Sequence, residues 1–578
     1  MTKRRITRIA KNVMKFIPQL IDQLTDNVVL LGPNGPVHPD EYRLLHTPRT
    51  LTWPSDGLRR IDPRKFKLTE PRIVMLRDIL KALLSAGVFY AAGQQVVVTG
   101  FAIKHLKDWL AHYATNPGSV IQLLRKACRV HCVFCYQDGL PRDLPFVEHH
   151  IAEQEIWNRV QYFESDRELF PRVVYNVDEV MSHRLLLPVL GALREKTNEP
   201  FDLYTNGEGL TQENIQGLAR LMPVIVNVSI TSTDKDERRR FVRDRNPDIA
   251  IRGFDHLREH SIPFVVQVVA WPTIPLASIK RTLRYLDAYQ PLYFKILLPG
   301  YSRFFKHPFP QDSMPYFKQV IEAIRKFRGE LQSDVVFDLQ KLEEYFYGLD
   351  PLEPRVTIVT PNSPARLAGL RKNDVITAIA GRKVYFRHKT KSMLFQLYRL
   401  LQRQDVPLVI NRPGEGKMEI LLKTAHYRQN HPYYPWQKNL GVFIDDGLDP
   451  SVITQINFLI ESHNARRVVL LSTRLMRYSM NTLQSQWMQV HHADTFHVME
   501  TPNRFWGGNI MVGDLLVVDD FLSAITAAKQ TYPDLDLVLL PSSPFSVWQY
   551  DLLGRSFFEL QRKSPVAVAL LAYPRLMS

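Results

Sequence analysis

All three cysteines of this 578-residue chain fall in one short run, Cys128-Arg129-Val130-His131-Cys132-Val133-Phe134-Cys135. Three thiolates at C-x3-C-x2-C spacing suit a metal centre that keeps one coordination position open. A structural zinc site closes its tetrahedron with a fourth protein ligand, and a cubane iron–sulfur cluster usually takes four cysteines. His131 is the available fourth ligand for zinc, but it adjoins Cys132, and two neighbouring side chains do not easily reach one tetrahedral ion together. The odd cysteine count and the lack of a secretory signal argue against a disulfide. With three cysteines on a cubane, one iron is left for a ligand that is not protein.

The run resembles the signature of the radical SAM family, in which S-adenosylmethionine (SAM) chelates the fourth iron through its amino and carboxylate groups. Phe134 matches the aromatic that precedes the family's last cysteine. The resemblance implies a [4Fe–4S] cluster on Cys128, Cys132 and Cys135, with SAM as second cofactor. It also implies reductive cleavage of SAM to a 5′-deoxyadenosyl radical that abstracts hydrogen from a substrate the sequence does not name. An external electron donor, such as a flavodoxin or ferredoxin, follows from that chemistry.

The elements that must position these groups begin at Ser119, where strand and helix patterns alternate and predict a parallel α/β sheet. The expected strands are Val120–Leu124, Val173–Asn176, Phe201–Tyr204, Val224–Ile230, Pro263–Val269 and Tyr293–Leu298. Helices over 185–195, 211–220, 249–260 and 277–289 separate them. Six strands match the open (β/α)6 partial barrel of the family, assigned to 119–335, with the cysteine loop after the first strand. In such folds chemistry collects at the carboxyl ends of the strands.

The family resemblance also implies SAM contacts along those ends. Asn176-Val177-Asp178-Glu179-Val180 stands where the family has Gly-Gly-Glu-Pro; it keeps the glutamate, and Glu179 would hold the SAM ammonium. Tyr204-Thr205-Asn206-Gly207 is similar to the family's third-strand ending, which makes Asn206 a candidate. Ser229 and Thr231, in Ser229-Ile230-Thr231-Ser232-Thr233-Asp234, offer hydroxyls for ribose or carboxylate. Arg238 follows on the next helix and is expected to clamp the carboxylate bidentately; Arg239, Arg240 and Arg243 are its neighbours. Gln267 puts an amide into an apolar strand, where a buried amide needs a partner. Adenine packing falls to Lys295–Pro299.

The flanks read as separate units. Residues 1–118 are expected to be mostly helical, with helices near 71–87 and 101–113 and irregular chain over 30–70. At the start, Lys3, Arg4, Arg5, Arg8, Lys11 and Lys15 alternate with Ile6, Ile9, Val13, Phe16 and Ile17, giving a basic amphipathic helix suited to an anionic membrane surface or to a partner. Residues 354–425 resemble a PDZ-like module, on Ser363-Pro364-Ala365, Ala368-Gly369-Leu370, Asn373-Asp374-Val375-Ile376 and Ile379-Ala380-Gly381, which implies a protein or peptide partner. Residues 437–578 show a further α/β pattern. Their Asn503-Arg504-Phe505-Trp506-Gly507-Gly508 stretch, Leu515-Leu516 and Asp520 are similar to a domain of unknown role that ends a group of bacterial radical SAM proteins. Phe505 and Trp506 either expose a flat apolar surface at a turn or anchor a core.

Lys plus Arg exceed Asp plus Glu, 74 against 58, for a net charge of +16. With no zinc-finger, RRM or basic-zipper pattern, this surplus reads as a diffusely basic surface rather than a nucleic-acid site. No apolar run is long enough to span a bilayer, so a cytoplasmic protein is expected. The absence of further cysteines excludes auxiliary clusters and paired-cysteine methyl transfer. The competing reading, from a different class, is an iron–sulfur binding or scaffold protein that docks partners through its PDZ-like and C-terminal modules.

Overall fold

The structure is a computed structural model that describes residues 128–139, 179–306, 312–400, 405–423, 440–445, 451–487, 493–545 and 551–571 with few gaps, plus a hairpin within 30–37 and isolated positions between 120 and 160. The expected basic helix, the helices near 71–87 and 101–113 and the strand Val173–Asn176 lie outside the described residues. Within the stretch read as irregular, β1 (Leu30–Gly32) and β2 (Gly35–Val37) form an antiparallel hairpin.

Five parallel strands build the first sheet: β3 (Phe201–Thr205), β4 (Val224–Ser229), β5 (Phe264–Val269), β6 (Phe294–Leu297) and β7 (Val335–Phe337), in that order. Sequential strands lie side by side because each crossover carries a helix back over one face. These helices are Leu186–Arg194, Gln212–Ala219, Pro247–Glu259, Leu276–Asp287 and Met314–Phe327. The first four lie within the expected spans to two residues at either end. Thr211 and Asp234 cap following helices through their side chains, and Pro247 opens another. Val226, Val228, Val266, Val268, Phe294 and Ile296 form the helix-side core and are completely buried.

Two expectations change. Val120 and Ile121 are helical rather than the start of a strand, and the sheet gains β7, which the strand pattern did not include. β7 is three residues long, too short for alternation to register.

β8 (Val356–Val359), β9 (Val375–Ile379), β10 (Arg382–Lys383), β11 (Val406–Arg412) and β12 (Gly416–Leu422) make the PDZ-like unit. Asn373 replaces the usual glycine there and takes φ +72, which asparagine tolerates better than most residues. β13 (Val442–Ile444) pairs antiparallel with β8, and Leu440, Val442 and Ile444 complete that unit's core. This strand was expected to open the C-terminal domain. Its alternation is legible locally, but its partner lies some 85 residues away in sequence, as in Val442 opposite Val359.

The PDZ-like unit is locked to the first sheet by buried charge. Lys372 donates to Val335 O at 2.8 Å and Thr357 O at 2.9 Å, and burial pulls its ammonium down to about 8. Arg387, 2% exposed, reaches Glu344 at 2.5 Å.

The C-terminal unit has four parallel strands in the order β15 (Thr495–Glu500), β14 (Arg467–Ser472), β16 (Leu537–Pro541), β17 (Ala567–Leu571). Phe505 and Trp506 do not form an exposed platform. Trp506 is 3% exposed and packs with Val512, Leu515, Leu552 and, from the loop after β6, Phe304. The backbone of Arg303 donates to Trp506 O at 2.6 Å. Asn509 accepts from Tyr301 N at 2.8 Å and donates to Pro299 O at 2.9 Å. The stretch is a seam between the C-terminal unit and the first sheet.

Candidate active site

The cysteine loop is pinned by its backbone. His131 N donates to Val242 O at 3.0 Å and Val133 N to Phe241 O at 2.9 Å, so the loop hangs on the end of the Lys235–Phe241 helix. Arg129 N donates to Glu208 at 2.9 Å. Ser302, in the loop after β6, donates its hydroxyl to Gly139 O just past the last cysteine. None of the three cysteines is in a disulfide, and all are partly buried.

Burial pushes the Cys128 thiol well above its ordinary range, with Glu179 and Glu208 adding to it. Burial likewise raises Cys132 to about 12, assisted by Cys135 and opposed by Arg238. Thiols in this setting give up their protons to a strongly positive centre, as coordinating thiols do. Among the described residues no three ligating side chains converge on one point as they would around a single ion. Zinc needs sulfurs at about 2.3 Å from a common centre, whereas a cubane takes each thiolate on a different iron. His131 is exposed. Three thiols in one loop are the donor set that a cubane with one open iron would take.

Beside the loop, Glu179 is 2% exposed and its carboxylate lies over the end of β3. It accepts from Thr205 Oγ1 at 2.7 Å, Asn206 N at 2.7 Å and Met181 N at 3.0 Å. No basic side chain among the described residues pairs with it. Gly207 turns the chain immediately after, at φ +95, where an added Cβ would lie 2.6 Å from Ala250 Cβ. Asn206 uses its Oδ1 for Glu208 N at 2.9 Å, and its buried Nδ2 has no partner.

β-register joins these residues to the rest. Thr205 pairs with Val228, so Asn206 comes level with Ser229; Ser229 pairs with Gln267, and Gln267 with Lys295. Register-matched residues of a parallel sheet share a face. Asn206, Ser229, Gln267 and Lys295 thus form one polar row, each only partly buried, on the face opposite the helix-side core. Thr231 lies beyond the strand end and is 2% exposed. Lys295, expected among adenine-packing residues, ends the row, close enough to Asp338 to oppose the upward push of burial that holds that carboxyl at about 6.

Arg238 differs from the expected clamp. It is wholly buried, and its fork holds Asp244, with Nε at 3.0 Å and Nη2 at 2.7 Å. Nη2 also reaches Asn206 O at 3.2 Å, and only Nη1 is left without a partner. Bidentate capture of a ligand carboxylate is therefore not available to it, because Asp244 occupies that geometry. Arg239, Arg240 and Arg243 are exposed. Sequence reasoning missed Asp244, Glu208 and Asp338; Glu208 and Asp338 act through contacts with distant segments, and Asp244 sits just past the end of the helix that carries Arg238.

The Glu179 carboxyl has a testable consequence. Burial raises it to about 8, against the hydrogen bonds from Asn206 and Thr205. Its folded value exceeds its unfolded one, so the stability it contributes is complete below about pH 4.5 and is lost as pH rises through about 8. Ligand-free protein should lose stability between about pH 6 and pH 8.5 more steeply than Glu179→Gln. Parallel stability–pH curves for the two would show that Glu179 is ionised throughout.

Comparison with known proteins extends this geometry. The family model described as the Radical SAM superfamily matches residues 124–286, and a PDZ domain model matches residues 355–412. Among solved structures, SuiB of Streptococcus suis aligns at 12% identity and TM-score 0.29, covering 46% of this chain and 59% of SuiB. SuiB bound to its precursor peptide SuiA aligns at 14% identity and TM-score 0.29, covering 50% and 68%. SuiB bound to SAM aligns at 12% identity and TM-score 0.26, covering 43% and 54%. The chain spans about three-fifths of the first of these. No curated protein matches the chain in sequence. The radical SAM family uses a [4Fe–4S] cluster and SAM. The chain carries a radical SAM superfamily domain at residues 124–286, followed by a PDZ domain at residues 355–412.

Proposed function

We propose that the protein is a radical SAM enzyme that holds one [4Fe–4S] cluster on Cys128, Cys132 and Cys135. The observation that carries this reading is the three-thiol loop fixed beside a buried carboxylate, with no cation paired to it among the described residues, at the strand ends. Once bound, the cluster and SAM supply a 5′-deoxyadenosyl radical for hydrogen abstraction. Glu179 receives the SAM ammonium, whose charge also lowers the carboxyl's proton affinity. Asn206 Nδ2 and Arg238 Nη1 supply donors that have no partner among the described residues, and Ser229, Thr231 and Gln267 continue the polar wall. Arg238 chiefly positions the loop and places positive charge near Cys132. Lys295 and Asp338, at the far end of the row, are the groups left to meet substrate.

A flavodoxin or ferredoxin in the cytoplasm would donate the electron. The PDZ domain suggests a protein or peptide partner, as substrate or as escort to it. The basic N-terminal segment would favour an anionic membrane surface. No described helix is long and apolar enough to cross a membrane. The test is anaerobic reconstitution, reduction, and assay for 5′-deoxyadenosine. Release of 5′-deoxyadenosine by the wild type and its loss in Cys132→Ser support the enzyme; a loaded cluster with bound SAM and no cleavage supports the scaffold reading.

A further inference from the structure

We propose that the C-terminal α/β unit holds a second ligand site, for a phosphoryl group, separate from the cysteine loop. In its sheet the chain runs from β14 out to β15 and then crosses back to β16 on the other side of β14. The crevice outside the carboxyl ends at such a reversal is where open α/β sheets take ligands. Three hydroxyls at this edge are buried without a partner: Ser472 Oγ at the end of β14, Thr501 Oγ1 just after β15 and Ser543 Oγ just after β16. Unsatisfied buried hydroxyls are uncommon, and Thr501, the one of the three that lines a cleft at these strand ends, calls for a polar occupant.

Space for that occupant exists. A cleft of about 150 Å³ is lined by Thr473, Arg474, Glu500, Thr501, Asn503 and, from the loop before Met314–Phe327, Ser313. Pockets for drug-sized ligands run to roughly 300–1,000 Å³, so this one takes a small group. Thr501, which lines it, is 3% exposed. The helix Arg474–Trp487 starts at the cleft; Thr473 caps it by accepting from Met476 N at 3.3 Å. Its first turn presents backbone N–H groups and the positive end of the helix dipole.

The sign of the ligand follows from the donors. Glu500 is the one acidic residue among the lining groups, and Arg474 holds it at 3.1 Å. Both amides of the lining are committed: Asn503 to Trp506 N and Leu515 O, Asn509 to Tyr301 N and Pro299 O. What remains is a helix N-terminus and hydroxyls, a donor set for a compact oxyanion. A tetrahedral phosphoryl group offers oxygens in enough directions to meet both the helix and the hydroxyls of Thr473 and Thr501. Because the same unit docks on the loop after β6, an occupant here would sit next to the seam that reaches Gly139.

The full-length protein should be titrated calorimetrically with inorganic phosphate, and with acetate as a planar carboxylate control. Saturable phosphate binding is expected in the wild type and, unchanged, in the variant with all three cysteines replaced by serine. That variant separates this site from the radical chemistry. Thr501→Val should fold normally, since removing an unpaired buried hydroxyl is close to neutral, and should bind phosphate at least tenfold more weakly. Arg474→Gln leaves Glu500 facing the anion and should weaken it further. Absence of saturable binding, equal binding by Thr501→Val, or acetate binding as tightly as phosphate would each overturn the proposal.

Discussion

Replacing Arg238 by methionine is expected to cost about 3–5 kcal/mol of stability, because it strands the buried Asp244 carboxylate without its counter-charge. Asp244 is 5% exposed, and its other oxygen accepts from Asn246 N at 2.9 Å. The pair sits in the element from which the cysteine loop hangs, through Phe241 O and Val242 O. Loss of the pair should therefore also lower iron retention. The double variant Arg238→Met, Asp244→Asn keeps the Asn246 contact and removes the stranded charge, so it should recover most of the stability. Chemical denaturation followed by far-UV dichroism measures both. If the single variant is as stable as wild type, Arg238 is not holding the loop; a large loss of SAM affinity in the recovered double variant would give Nη1 a direct part in binding.

The second large effect is expected at the seam. Gly508 takes φ +61, and a Cβ added there would lie 2.1 Å from Tyr301 O, a backbone atom that cannot step aside alone. Gly508→Ala should thus open the contacts of Trp506 and Asn509 with residues 299–303. With Asn509 N also donating to Tyr301 O at 3.1 Å, four hydrogen bonds cross the seam, and at about 1 kcal/mol each their loss is on the order of 4 kcal/mol. The amides of Tyr301, Arg303 and Asn509 should then exchange with solvent roughly a thousandfold faster. Unchanged exchange at those three positions would mean that the seam does not hold the C-terminal unit. Because Ser302 bridges the same loop to Gly139, iron loss should accelerate in parallel.

How much was legible in the sequence depended on distance along the chain. Strands β3 to β6 and four of the helices were readable because Val- and Ile-rich runs alternate with amphipathic stretches over local windows. The cysteine run stood out because all three thiols of the chain fall within eight residues. Asn206 and Ser229 lie at the carboxyl ends of β3 and β4, but their alignment in one row with Gln267 and Lys295 is a matter of register, which no single strand encodes. Arg238 was misread because its partner, Asp244, sits past the helix end, where the chain turns back through Arg243 at φ +56. Phe505 and Trp506 carried the right physical signal, apolar bulk beside glycines. Whether such bulk meets solvent or another unit is settled only by the fold.

The central claim is that three cysteines hold a cluster with one iron open to SAM. The most direct measurement is iron and sulfide content of the anaerobically reconstituted chain, with the electron paramagnetic resonance spectrum of the reduced protein taken before and after SAM is added. About four irons per chain, and a spectrum that shifts with SAM, are predicted. Stoichiometric zinc without iron after anaerobic purification, or a four-iron spectrum indifferent to SAM, would contradict it.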